Sequence, residues 1–365
     1  MNDSQVGFIG LGLIGGSIAK AIKAKYPNSK ITAYDINVHA LQTAQEDGIV
    51  DNAVSSVEEN FSDCDIIFLC TPVSYNVTYL ASLKGQLKST CILTDVGSVK
   101  TDIHEKIIQF NLEESFIGGH PMAGSEKTGY ENSVAHLIEN AYYVLTPSSK
   151  VDSKKVDFFT NFVKNLGSLP IILNYKEHDY VTAAISHLPH IIASSLVNLV
   201  EKRDSEEQIM KNIAAGGFKD ITRIASSSPI MWQQICLTNR ENISALLNDY
   251  IKELSQVKAL VDSSLEQELY DMFDNAREYR NSITDSSLGP IKKLYELYCD
   301  IIDEAGGIAT IATILANNHI SIKNIGIIHN REFVEGALRI EFYDEDSSKR
   351  AVALLKKYRY TVYER

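Results

Sequence analysis

The chain has 365 residues, enough for two to three domains at roughly 150 residues each. Hydrophobic residues make up 44% and charged residues 22%, a globular balance that excludes a disordered chain. With 35 basic and 47 acidic side chains the net charge is −12, which argues against nucleic acid as a partner.

Met1-Asn2-Asp3-Ser4 lacks the basic start of a secretory leader. Apolar runs such as Ile66–Val73 and Ile308–Ala316 fall short of the ~20 residues of a membrane span, so no membrane partner and a cytoplasmic location are expected. In chain order, Val6–Ile9, Ile31–Tyr34, Ile66–Cys70, Ile92–Thr94, Phe116–Gly118 and Tyr142–Leu145 read as strands. Helical patterns such as Ser17–Lys25 and Val38–Asp47 lie between them. The alternation predicts an α/β domain with a parallel, doubly wound sheet over residues 1–172. Ile185, Leu188, Ile192, Leu196 and Leu199 then recur at helical spacing, which predicts an all-helical second domain over 173–283. The recurring Ile243, Leu246, Leu247, Ile251, Leu254 and Val257 suggest a face buried against a second copy, hence a homodimer. Ser, Gly and Pro mark a linker at 284–290. Tyr295–Ile302, Ile308–Asn317, Ile322–Ile328, Ala337–Phe342, Ser348–Lys357 and Tyr360–Tyr363 follow in the order β-α-β-β-α-β, a ferredoxin-like unit over 291–365. The five cysteines (Cys64, Cys70, Cys91, Cys236 and Cys299) show no metal-like spacing and read as reduced and mostly structural.

Gly10-Leu11-Gly12-Leu13-Ile14-Gly15 joins the first strand to the first helix. Gly10 allows the tight turn, Gly12 the approach of a pyrophosphate and Gly15 close helix–strand packing, while Leu13 and Ile14 open a helix whose free N–H groups face the phosphates. About 20 residues on, Asp35 ends the second strand, where a carboxylate accepts from ribose hydroxyls and repels a 2′-phosphate. The pattern predicts a Rossmann-like domain that prefers NAD to NADP. Thr71 and Pro72 either line the cofactor cleft or simply form a strand-to-helix turn. Two later loops, Thr94–Lys100 and Gly118–Glu126, should open onto the same edge. The second carries His120 between glycines and a proline. Its imidazole, with an unperturbed pKa of about 6.5, can take the hydroxyl proton when hydride leaves an alcohol carbon.

Together with the glycine fingerprint, Asp95-Val96-Gly97-Ser98-Val99-Lys100, Gly119-His120-Pro121-Met122-Ala123-Gly124-Ser125-Glu126, Ser186-His187-Leu188-Pro189-His190 and Gly216-Gly217-Phe218-Lys219-Asp220-Ile221-Thr222-Arg223 resemble the prephenate dehydrogenase family, in order, through about residue 281. The last unit, with Asp303-Glu304-Ala305-Gly306-Gly307-Ile308, resembles an ACT domain, although many such domains read Pro-Gly where this chain has Ala305-Gly306. Lys219 also departs from an expected Arg, which keeps the charge but loses a bidentate contact.

The resemblance implies oxidative decarboxylation of prephenate to 4-hydroxyphenylpyruvate with NAD. His120 would be the proton acceptor, Ser98 a hydrogen-bonding partner of the hydroxyl or the imidazole, and Arg223 the carboxylate clamp. His187, His190, Ser125, Glu126, Gly216 and Trp232 would line the substrate cleft, with Glu126 paired to Arg223. Trp232 reads equally as a core anchor, and His178 as a helix-start residue. His187 and His190 have no carboxylate or cysteine cluster beside them, so no metal site is expected. Glu304, Ala305, Gly306, Gly307 and Ile308 would hold tyrosine as a feedback effector. Arogenate dehydrogenase, another two-domain dehydrogenase, or a non-catalytic NAD and amino-acid sensor are the alternatives.

Overall fold

The computed structural model describes residues 3–58, 60–124, 127–285, 295–300, 306–328 and 337–364. They fall into two compact units, Met1–Asp274 and Asn275–Arg365. The first opens with β1 (Gln5–Ile9), α1 (Leu13–Lys25), β2 (Lys30–Tyr34), α2 (Val38–Glu46), β3 (Asn52–Ala53), β4 (Ile66–Leu69), α3 (Val73–Leu83), β5 (Ile92–Asp95) and α4 (Thr101–Phe110). The five strands form a parallel sheet in the order β3-β2-β1-β4-β5. Strand order reverses at β1, and in such sheets ligands bind outside the carboxyl ends at the reversal. Phe8, Phe68 and Phe159 pack in one apolar layer, and Ile9, Leu69 and Ile107 in a second.

The strands β6 (Ile117–Pro121), β7 (Tyr142–Pro147) and β8 (Leu169–Ile172) form a second sheet, joined to the first by a parallel bridge between Leu93 and Phe116. This corrects the expectation of a wholly parallel sheet, because β6 and β7 are antiparallel. Helix α5 (Ser153–Asn165) is the crossover that lets β7 and β8 run parallel. The sequence hid β8 because Pro170 cannot donate to a strand ladder. Strand β6 also runs past its apolar residues and takes in His120, which the sequence alone places in a loop.

The helical part comprises α6 (Tyr175–Thr182), a π-helical turn at Ala183–His187, α7 (Leu188–Arg203), α8 (Ile209–Ile213), α9 (Gly216–Thr222), α10 (Pro229–Thr238), α11 (Arg240–Asp262) and α12 (Glu266–Asp285). Up to the end of the first unit, its buried apolar side chains among the described residues are Ala183, Ala193, Ile235 and Ile243. Leu199, Ile213, Leu237, Ile251 and Leu254 are exposed. The continuous stretch Tyr175–Arg203 is long and apolar enough to cross a membrane by length and composition alone, with mean hydropathy 1.4 in a window only 17% buried. Unbroken apolar runs understate this length, because the helix interleaves polar residues.

The second unit contains β9 (Tyr295–Asp300), α13 (Gly307–Asn317), β10 (Ile322–Ile328), β11 (Ala337–Phe342), α14 (Glu345–Lys357) and β12 (Val362–Glu364). Its sheet is antiparallel in the order β10-β11-β9-β12, the ferredoxin-like arrangement. Leu297, Cys299, Ile311, Leu315, Leu338 and Leu355 form its core. Of the expected linker, residues 286–290 lie outside the described residues.

Candidate active site

The chain leaves β1 through Gly10, whose φ is +94°. A Cβ there would lie 2.8 Å from the backbone of Cys70 and Thr71. A Cβ on Gly15 would lie 2.6 Å from the Gly10 carbonyl oxygen, so α1 packs this closely only without a side chain. Gly12 is different: a Cβ there meets nothing within 4 Å. Its bare backbone faces open space, and α1 starts beside it at Leu13 and Ile14 with no side-chain cap. Free N–H groups at the positive end of a 13-residue helix fit a diphosphate. Asp35 follows β2 and accepts from the N–H of Leu11 at 2.6 Å and of Asn37 at 2.7 Å. Each of its oxygens keeps a lone pair for a ribose hydroxyl. Beyond β4, Thr71 donates to Asn76 Oδ1 at 2.6 Å and Pro72 caps α3.

The parallel Leu93–Phe116 bridge sets β6 beside β5, so His120 reaches the same carboxyl edge. Beneath it lies a wholly buried ion pair, Lys100 with Asp95. Lys100 Nζ also donates to the Gly119 carbonyl at 2.8 Å, while Gly97 and Gly119 donate their N–H groups to Asp95 at 2.9 and 3.2 Å. The pair therefore ties the 96–100 loop, which carries Ser98, to the strand that carries His120. Burial lowers the Lys100 ammonium, and the Asp95 charge offsets part of that.

His120 Nδ1 stands 2.8 Å from His178 Nε2, with the two rings at 70°. His178 Nδ1 stands 2.8 Å from Asp179 Oδ1. Asp179 also accepts the N–H groups of Lys100 and Thr101, each at 2.7 Å. Burial alone would raise the Asp179 carboxyl, but hydrogen bonds from His178, Thr101 and Lys100 outweigh it and hold the group below the usual carboxylate range. Burial drives the His120 imidazole well below its ordinary value, and the charges of His178, Lys100 and His187 push the same way. A neutral ring is the form a base needs. Ser98 is half-buried in its loop. It is His178 that takes the His120 Nδ1 position.

His187 is buried, and its Nδ1 lies 3.2 Å from Asn239 Nδ2, which also donates to the Asp179 carbonyl at 2.8 Å. Burial lowers His187 to about 4. His190 stacks on Trp232 with ring centres 3.6 Å apart, and His187 meets the same indole edge-on at 5.9 Å. The Trp232 indole N–H is buried without a partner among the described residues. Burial and then the Arg223 charge lower His190, so the exposed guanidinium lies within electrostatic reach of that ring. Gly216 sits at the exposed start of α9, outside this hydrogen-bonded group. Ser125, Glu126, Glu304 and Ala305 lie outside the described residues. Gly306, at φ +98°, caps α13, which begins at Gly307 and Ile308. No group of three His, Cys, Asp or Glu among the described residues is placed to hold a metal.

Sequence reasoning assigned no role to Asp179 or Asn239 and left His178 undecided. The available signal was the dipeptide His178-Asp179 at a helix start, whose meaning depends on β6 lying against it.

A bare glycine turn beside Asp35, with a shielded imidazole on the same sheet edge and a helical wall opposite, defines a dinucleotide-dependent dehydrogenase of the Rossmann class. Residues 18–171 match the nucleotide-binding domain of prephenate dehydrogenase, and residues 174–275 its dimerization domain. The chain belongs to the prephenate dehydrogenase family. It is 38% identical to the prephenate dehydrogenase of Bacillus subtilis, over 94% of this chain and 93% of that one. A prephenate dehydrogenase from A. aeolicus, solved with hydroxyphenyl propionate and NAD+, shares 34% identity and a TM-score of 0.72, over 77% of this chain and 98% of that one. An arogenate dehydrogenase from Synechocystis shares 29% identity and a TM-score of 0.69, over 76% and 99%.

Proposed function

We propose that this enzyme converts prephenate to 4-hydroxyphenylpyruvate, with NAD as the cofactor. The observation that carries the reading is His120, a neutral imidazole on the carboxyl edge of the sheet, shielded and anchored through His178. Gly10, Gly12, Gly15 and the start of α1 hold the diphosphate, Asp35 the ribose, and Thr71 and Pro72 border the cleft. Bound there, NAD would supply the hydride acceptor for the ring carbon that bears the alcohol. His120 takes the hydroxyl proton, and Ser98 hydrogen-bonds the same hydroxyl. Arg223 clamps a substrate carboxylate through its planar fork, beside Trp232, His187 and His190. Loss of carbon dioxide then makes the ring aromatic. Holding the substrate in this alignment removes much of the entropic cost of reaction.

We further propose a homodimer, because the second domain belongs to a dimerization family and leaves Leu237, Ile251 and Leu254 exposed. The C-terminal unit is read as an ACT domain that binds tyrosine near Gly306, Gly307 and Ile308, where α13 starts with no side-chain cap. NADH formation tests these readings together. Prephenate should give the higher kcat/KM and tyrosine should inhibit. Deletion of residues 291–365 should abolish that inhibition. A higher kcat/KM with arogenate would reassign the substrate, and no NADH with either would leave only a binding role. Inhibition that survives the deletion would move the effector to the catalytic cleft.

A further inference from the structure

The hydrogen-bond chain behind His120 has a fixed polarity. Both Asp179 oxygens accept backbone N–H groups, Oδ1 from Lys100 and Oδ2 from Thr101. These donors sit at the start of α4, and an N–H group cannot reverse its role. Asp179 is therefore an acceptor throughout. The contact from His178 Nδ1 to Asp179 Oδ1 must then be a donation by His178. With His178 neutral its imidazole carries one N–H, so Nε2 keeps its lone pair. Across the 2.8 Å contact that nitrogen can only accept, which puts the proton on His120 Nδ1. His120 Nε2 is left with a lone pair.

We infer that His178, anchored by Asp179, is a positioning residue that locks His120 in the one tautomer able to act as a base at Nε2. The inference rests on the dehydrogenase reading for its catalytic consequence but not for the tautomer itself. When Nε2 takes the substrate proton, the imidazolium is stabilised through His178 by a carboxylate at the end of the chain. No proton needs to reach Asp179. Asn239 supports the arrangement by donating to the Asp179 carbonyl. The charged and titratable groups that bear on His120 are His178, Lys100 and His187, with Asp95 paired to Lys100 and Asp179 to His178. His104, on α4, lies within electrostatic reach of His178.

The inference gives two variants opposite fates. In His178→Gln the amide NH2 can donate to Asp179 and its oxygen can accept from His120, so the polarity survives. In His178→Leu it is lost. The test is long-range 15N–1H correlation of the imidazoles in the full-length protein without substrate, with His120→Asn assigning the His120 signals. Wild type and His178→Gln should show His120 protonated at Nδ1, and His178→Leu should lose that preference. In steady state, His178→Leu should lower kcat on the order of 10²-fold or more with KM nearly unchanged, and His178→Gln should recover most of it. The acid limb of kcat/KM against pH should move in His178→Leu and stay near wild type in His178→Gln. Wild-type His120 protonated at Nε2 overturns the inference even if no variant folds. So does a folded His178→Leu with wild-type kcat. Failure of prephenate and arogenate as substrates would overturn the functional reading alone, because the tautomer is read without substrate.

Discussion

The sheet domain and the helical domain bury different kinds of side chain. Around the sheet the core is mostly apolar, with Phe8 and Phe68 stacked at 5.0 Å and Phe159 and Phe162 beside them, and Lys100 and Asp95 are buried within the domain as a pair. In the helical domain the buried side chains are largely polar: His178, Asp179, Thr182, His187 and Asn239. Many of its apolar residues, Leu199, Leu237, Ile251 and Leu254 among them, are exposed. The contrast assigns the labour. The sheet domain is a closely packed scaffold that fixes backbone positions to the precision catalysis needs. The helical domain holds the His178–Asp179 pair inside and leaves Leu237, Ile251 and Leu254 exposed.

The sharpest break in this contrast is Lys100→Met, which leaves Asp95 buried without its cation inside the otherwise apolar scaffold. It should cost about 3–5 kcal/mol of unfolding free energy, read by urea titration. An unchanged midpoint would show that the pair does not hold the scaffold. Phe68→Ala should cost a similar ~3–5 kcal/mol at every protein concentration, whereas Leu254→Asp should lower Tm at concentrations where the wild type is dimeric and little when the protein is dilute. A wild-type Tm that does not change with protein concentration would mean that the outer helical face meets no second copy. Arg223→Ala removes a charged clamp worth roughly 1.5–3 kcal/mol, so KM for prephenate should rise about 10- to 100-fold with a smaller change in kcat. Unchanged KM would remove Arg223 from the carboxylate site.

The most gradual effect is the pH dependence. Burial lowers His104 to about 3 and His187 to about 4. Below about pH 6.5 the unfolded chain takes up protons that the folded chain refuses, so stability present above that pH falls as pH drops toward 4. Each group contributes up to about 1.4 kcal/mol per pH unit in that window. Urea midpoints at pH 7.5, 6 and 5 should decline in order, and a flat series would contradict the buried, neutral histidines.

The sequence makes the cofactor end easy to read, because glycine spacing and Asp35 are local consequences of one strand–turn–helix unit. It also carries the order of the C-terminal strands. His120 is readable as a residue but not as a strand position, because the expected strand Phe116–Gly118 stops at its glycines while β6 runs on to Pro121. The antiparallel β6–β7 step is invisible, since pairing direction is set by what packs across the sheet rather than by local pattern. The proton chain is the least legible part. It joins His120 to His178 across 58 residues and depends on the N–H groups of Lys100 and Thr101 meeting Asp179.

The most direct test of the account is NADH formation from prephenate by His120→Asn beside the wild type, with Tm measured on the same samples. The account predicts kcat lower by roughly 10² to 10⁴-fold, with KM and Tm close to wild type. A folded His120→Asn enzyme that turns over at near wild-type kcat would contradict it.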